Sequence, residues 1–376
     1  MKNIEEIHLI YGRLGAKNFV LPVAKSCKGK SIIYCQTEND KFIRKSKKIK
    51  DLPKWFNLKI SLNAHFFINF FPSCIYLYIL LSRNRNSKFI VHMNTFALFP
   101  LIIARLARVK KRIYFNHGFP FINEKNHSKL ILYLIELTNI FFATDVITVS
   151  PKQLLSLKNN FITKIKNIRP IKPGSCCGIS KSRIISISEF KKKKANLYLK
   201  NKLYLTYIGR PLIRKGFPYI INLFENITEL IPEKNVKLQV IGISESMTKN
   251  ALKDKTKINL IDSISYTNNV DIYLKKSHIT ILPSTRESFG YALLEGAAQG
   301  NALALFDICG PDCLVVDKYN GIIINKKSSS IEFAKNLVNL ITNLDKLSFL
   351  MTNARKSAFS FNQAKVLKSV RENLDY

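Results

Sequence analysis

A chain of 376 residues with 47% apolar composition holds material for two hydrophobic cores. Its 60 Lys and Arg against 25 Asp and Glu leave a formal charge of +35, with about half of the bases but only about eight of the acids before residue 176. That first half favours phosphate-rich partners (nucleic acid, an anionic membrane face or a diphosphate-bearing substrate), while seven cysteines, an odd count with no CxxC pair and no regular framework, fit a reducing cytosol.

The N-terminus, Met1-Lys2-Asn3-Ile4-Glu5-Glu6, carries acids where a signal peptide would be basic and then apolar, so secretion is not expected. It leads into a predicted strand, Ile7–Tyr11. The following loop, Gly12-Arg13-Leu14-Gly15, can bring backbone N–H groups to phosphates and is equally a plain strand-to-helix turn. Further strands are predicted at Ser31–Cys35, Phe89–His92, Arg112–Asn116 and Asp145–Ser150, with helices such as Phe96–Arg108 and Lys129–Ala143 between them. From Ile60 to Ser82 no charged residue occurs, a length able to cross a bilayer. Asn63, His65, Asn69, Pro72 and Ser73 interrupt it, which favours a buried core helix over a membrane-surface contact or a span. The basic clusters Lys41–Lys50 and Arg105–Arg112 are candidates for membrane contact and, equally, solvated faces. His92, at a strand end, reads as structural.

Pro170–Ser180 is rich in helix and strand breakers, and a lysine-heavy stretch with Lys191–Lys194 follows. A second strand-helix series then runs through Leu203–Gly209, a helix from about Phe217, Lys237–Gly242, Lys257–Ile261, Val270–Lys275, Ile279–Leu282, a helix to Gly300, Ala302–Phe306 and Gly321–Ile324. Residues 1–180 and 181–356 are therefore the expected domains. Ser330–Asp375 reads as helical, and its last helix, within 357–376, is expected to pack back on the first domain.

Two places carry candidate chemistry. Gly209-Arg210 ends the first strand of the second domain, with Lys215-Gly216 just beyond; open α/β sheets place ligands at that carboxyl edge. Two cations there suit a diphosphate and the charge it gains on leaving, although a solvated basic loop would look the same. Further on, Glu287 and Glu295 flank Ser288-Phe289-Gly290-Tyr291-Ala292-Leu293-Leu294. Helical rise would separate the carboxylates by on the order of 10 Å, the span from hexose to ribose in a nucleotide sugar.

Gly209-Arg210, Lys215-Gly216, the Glu287-x7-Glu295 element with Phe289-Gly290, Gly310-Pro311-Asp312 and Asn320-Gly321 resemble retaining glycosyltransferases of family 4. Tyr114-Phe115-Asn116-His117-Gly118-Phe119-Pro120-Phe121 is similar to the His-Gly loop of members that build bacterial O-antigen, lipopolysaccharide or capsule. The resemblance implies an α/β GT-B fold, two doubly wound Rossmann-like domains facing a central cleft, with an acceptor-side first domain and a donor-binding second one. It implies that Arg210 and Lys215 hold the donor diphosphate and Glu287 the transferred sugar. Gly209, Phe289, Gly290 and Tyr291 would line the donor site, Glu295 would bind the ribose hydroxyls, and His117 would orient or stabilise the reacting group. Gly12 and Gly15 are further donor-site candidates. Asn301-Ala302, where the family has a Pro-containing turn, should alter stiffness rather than chemistry, and Asp312 replaces a common Glu.

No Asp-x-Asp motif occurs and no metal or other cofactor is expected. The resulting expectation is a cytoplasmic hexosyltransferase, peripheral at the inner face of an anionic membrane. It would move a hexose from a nucleotide diphosphate sugar to a polyprenyl-diphosphate-linked saccharide with retention. Subgroup resemblance points to a uridine-linked N-acetylated hexosamine or deoxyhexosamine. The alternatives are a catalytically silent GT-B scaffold and a nucleic-acid-binding protein, the latter resting on charge without any zinc, helix-turn-helix or aromatic-basic RNA motif.

Overall fold

Short runs of Ile, Val, Phe and Tyr bounded by polar residues form parallel strands in the computed structural model, which describes residues 4–10, 16–35, 48–52, 56, 64–92, 95–118, 127–158, 168–199 and 202–376. These residues divide into Met1–Gly178 with Ala364–Tyr376 (unit 1) and Ile179–Gln363 (unit 2).

Unit 1 contains β1 (Ile4–Ile10), β2 (Lys30–Cys35), β3 (Ile49–Asp51), β4 (Lys88–His92), β5 (Lys111–Asn116), β6 (Asp145–Thr148) and β7 (Ile168–Pro170). They pair in the order β3-β2-β1-β4-β5-β6-β7, all in parallel. The central strands are buried on both faces, as parallel sheets sandwiched by helices require. The edge strands β3 and β7 are three residues long, too short for a periodic signal, and were not anticipated.

Unit 2 contains β8 (Lys202–Ile208), β9 (Asn235–Ile241), β10 (Ile261–Ile264), β11 (Ile279–Leu282), β12 (Ala302–Phe306) and β13 (Gly321–Ile324), ordered β10-β9-β8-β11-β12-β13. Lys257–Ile261 differs from a simple strand: a 3-10 turn, Lys255–Leu260, precedes β10. Val270–Lys275 falls in the short helix Asp271–Lys276. Helices Ser330–Ile341, Leu344–Ser360 and Gln363–Asp375 follow the last strand, and Ala364–Tyr376 belongs to unit 1.

The uncharged stretch before β4 forms the helix Ala64–Ser82, and its burial differs from the core-helix expectation. Leu77 and Leu81 are buried, whereas Ile68, Phe71, Ile75, Tyr78 and Ile79 are exposed, Phe71 by 72%. At helical spacing these five residues form one apolar stripe. No described helix is long and apolar enough to cross a membrane.

Candidate active site

The loop after β8 is built on Tyr207. Its buried phenol donates to the carbonyls of Arg210 (3.3 Å) and Lys215 (3.1 Å), folding Arg210–Lys215 over the strand end. Because β8 and β11 are neighbours in the sheet, this loop meets the one after β11: Thr285 N–H donates to Arg214 O at 3.0 Å. Gly216 has φ +88°, and a Cβ there would collide with the Pro283 carbonyl, so this approach needs glycine.

The two loops bring Lys215 Nζ to 2.6 Å from Glu287 Oε1, with side-chain exposures of 23% and 11%. Arg214 stands close enough to Glu287, Arg210 and Arg286 to feel the charge of each. Burial pushes the Arg214 guanidinium's pKa down, Arg286 and Arg210 lower it further, and Glu287 opposes them. Arg214 and Arg286 were absent from the sequence-derived candidates although each adjoins one of them. Gly310, at φ +124°, lies so close to the Glu287 backbone that a Cβ would sit 2.5 Å from its carbonyl oxygen. The Gly310-Pro311-Asp312 turn thus supports Glu287, and Asp312 Oδ1 accepts from Gly310 N–H at 3.1 Å.

Glu287 lies in a loop, and only from Tyr291 onward is the backbone helical (Tyr291–Ala298), beginning after the left-handed Gly290. The helical-rise spacing of the two carboxylates is therefore corrected, since helical geometry covers only the half carrying Glu295. Glu295 Oε1 accepts from Arg183 Nη2 at 2.8 Å, while Arg183 forks onto Asp271 through Nε (2.8 Å) and Nη2 (2.7 Å). Burial pushes the Glu295 carboxyl up, and Arg183 opposes it. This triad was not foreseen. Phe289 is buried and its ring lies 5.3 Å from that of Phe361, which leaves its side chain in the core. Gly209 N–H donates to Ile241 O at 2.9 Å, at the end of β8. Asn301 is a tie inside unit 2: its Oδ1 accepts from buried Lys193 Nζ, and its Nδ2 donates to Thr280 Oγ1 at 3.0 Å. Gly12 and Gly15 lie outside the described residues.

In unit 1, His117 follows β5 and is partly exposed. Behind it, Asn116 Oδ1 accepts from Gly118 N–H at 2.6 Å, and Asn116 Nδ2 donates to Glu136 Oε1 at 2.6 Å. Tyr114 OH donates to Glu136 Oε2 at 3.0 Å. Burial pushes the Glu136 carboxyl up to about 8 against these hydrogen bonds. His92 is not an isolated strand-end residue: its Nδ1 lies 3.2 Å from His117 Nε2.

Two parallel α/β units, one bearing carboxylates and clustered cations where its strands end, match the GT-B fold. Residues 188–357, less than half of the chain, match the family model described as "Glycosyl transferases group 1", and the similarities below support a glycosyltransferase. The chain is similar to the "Capsular polysaccharide biosynthesis glycosyltransferase CapM" of Staphylococcus aureus, 28% identical over 268 residues that span 66% of this chain and 67% of the relative. It is also similar to the "UDP-Gal:alpha-D-GlcNAc-diphosphoundecaprenol alpha-1,3-galactosyltransferase" of Escherichia coli, 26% identical over 316 residues, 80% of this chain and 78% of the relative. Among solved structures, the Anabaena HepE protein in complex with UDP-glucose shares the fold at TM-score 0.75, with 14% identity over 99% of this chain and 100% of that one.

Proposed function

We propose that this glycosyltransferase moves a hexose from a nucleotide diphosphate sugar to a lipid-diphosphate-linked saccharide in surface polysaccharide synthesis, with retention at the anomeric carbon. The observation that carries the reading is the Lys215–Glu287 pair within the set Arg210, Arg214 and Arg286 at the ends of β8 and β11. An entering diphosphate offers Lys215 and Arg210 an alternative anion, which leaves Glu287 to accept hydrogen bonds from hydroxyls of the transferred sugar. The same cations then stabilise the departing nucleotide diphosphate without a metal. Glu295, held by Arg183, is assigned to the ribose and His117 to the reacting sugar. No side chain serves as nucleophile; the donor phosphate takes the acceptor proton on the front face.

The Escherichia coli relative, whose name gives a diphosphoundecaprenol-linked acceptor, supports the acceptor class. The exposed stripe of helix Ala64–Ser82 supports a peripheral contact. Helix Leu98–Leu106 packs between it and helix His127–Phe142, which exposes Leu130, Ile131, Leu134 and Phe141. The one acid in these three helices, Glu136, is buried, and Arg83, Arg85, Arg105 and Arg108 stand at the helix ends, so the layer suits an anionic lipid surface. The test is nucleotide release and sugar transfer with a panel of donors and a polyprenyl-diphosphate saccharide. Release of no nucleotide from any donor, with Glu287→Ala and Lys215→Ala indistinguishable from the parent, would sink the reading.

A further inference from the structure

Three of the six histidines form one line in unit 1. His8 Nδ1 is 3.1 Å from His92 Nε2, and His92 Nδ1 is 3.2 Å from His117 Nε2. At the far end His8 Nε2 lies 3.2 Å from Glu6 Oε2, and Glu6 Oε1 accepts from Arg371 Nη1 at 2.5 Å. Sheet register builds this line. Ile10 pairs with His92, and His92 pairs with Phe115. His8 therefore stands two residues before its cross-strand position and His117 two residues beyond its own. A two-residue step stays on one face of a sheet, so the line climbs diagonally towards the carboxyl edge. The His8 and His92 rings stack at 5.4 Å, and Phe115 stacks on both His92 and His117.

Hydrogen-bond valence fixes the direction. Glu6 is ionised: burial pushes its carboxyl up, but His8 and Arg371 outweigh this and hold it at about 2. A carboxylate only accepts, so His8 Nε2 carries the proton. Burial lowers the pKa of His8 and of His92, and holds His117 at about 4, so all three rings are neutral with one N–H each. Lys48, which also faces His8 electrostatically, favours the same neutral form. His8 Nδ1 must then accept from His92 Nε2–H, and His92 Nδ1 from His117 Nε2–H. What remains at the end is the Nδ1 lone pair of His117, which has no hydrogen-bond partner among the described residues.

We propose that Glu6, His8 and His92 are positioning residues that lock His117 into its Nε2–H tautomer, presenting Nδ1 as a hydrogen-bond acceptor for a hydroxyl of the saccharide substrate. The proposal rests on the role given to His117 above. Its test uses Glu6→Gln in the full chain. Arg371 will hold the amide oxygen of the new side chain, turning its NH2 towards His8 Nε2 and reversing every bond in the line. His117 then carries its proton on Nδ1.

Long-range 15N–1H spectra of histidine-labelled protein, assigned with His8→Gln, His92→Gln and His117→Gln, read each tautomer directly. The expected result is Nε2–H at all three rings in the parent and Nδ1–H in Glu6→Gln, with kcat lowered about tenfold or more and the donor KM unchanged. His92→Phe, which keeps the stacked ring but cuts the line, should lose kcat similarly. His92→Gln, whose amide accepts and donates at similar spacing, should restore it. An imidazolium or Nδ1–H ring at His117 in the parent overturns the proposal, as does an unchanged kcat beside a reversed tautomer. Failure of every donor to react sinks the functional reading instead and leaves the tautomer result to be judged by itself.

Discussion

Unit 1 and unit 2 share a parallel sheet between helices, yet they hold polar groups in opposite ways. In unit 2 the candidate site charges are partly open ion pairs: Lys215 with Glu287 between two loops, and Arg183 with Asp271 and Glu295, each on a helix. Such pairs can change partners when an anion arrives, so the site can rearrange its charge at little cost. In unit 1 the polar groups are uncharged imidazoles on adjacent strands, packed among Phe115 and apolar neighbours, with one carboxylate at the root. There the useful property is direction rather than charge. A sheet interior tolerates a neutral hydrogen-bonded line because every donor meets an acceptor.

The largest test of this contrast is removal of a loop charge. Lys215→Ala and Glu287→Ala should each lower transfer by about 10²–10³-fold with the melting temperature nearly unchanged. A matching collapse of stability would mean that the pair holds the fold instead. Arg183→Met comes next. It strands two carboxylates, one of them with a pKa already raised by burial, and should destabilise unit 2 by about 3 kcal/mol in chemical unfolding. No change would make the triad a surface feature.

A smaller effect separates the units by pH. Glu136 keeps its proton in the folded chain up to about 8, whereas an unfolded carboxyl loses it near 4.5. Stability should therefore fall as pH rises through that window, by at most about 1.4 kcal/mol per unit, and Glu136→Gln should flatten the slope. An equal slope in both proteins would break the assignment. The smallest expected change is at the exposed stripe. Phe71→Ser with Ile75→Ser should weaken binding to anionic vesicles by roughly tenfold, about 1.4 kcal/mol, and leave transfer to a soluble acceptor analogue intact. Equal binding by both proteins would remove the helix from the membrane contact.

The alternation of strands and helices was legible because buried parallel strands are contiguous apolar runs. The charged loops after β8 and β11 were legible because their polar residues are concentrated in a few consecutive positions. Pairings between distant residues were not. His8 and His92 are 84 positions apart, and Arg183 and Glu295 are 112 apart, so only strand order and register bring them together. The uncharged stretch before β4 announced a helix, but two apolar faces look alike in sequence and only packing decides which is covered. Lys193 shows the converse: within a lysine-heavy run, it is buried, held by carbonyls of Leu274 and Gln299.

The helix Gln363–Asp375 carries Arg371 to Glu6, and this has a consequence for the order of events during translation. β1 leaves the ribosome ahead of all of unit 2, with a carboxylate destined for a dry interior. The guanidinium that compensates it is made only after all of unit 2. Until then an uncompensated buried charge of this kind costs about 3–5 kcal/mol, comparable to much of a domain's net stability. Unit 1 thus begins to emerge before unit 2 and is completed after it, and the histidine line acquires its fixed direction only when synthesis has passed the second unit.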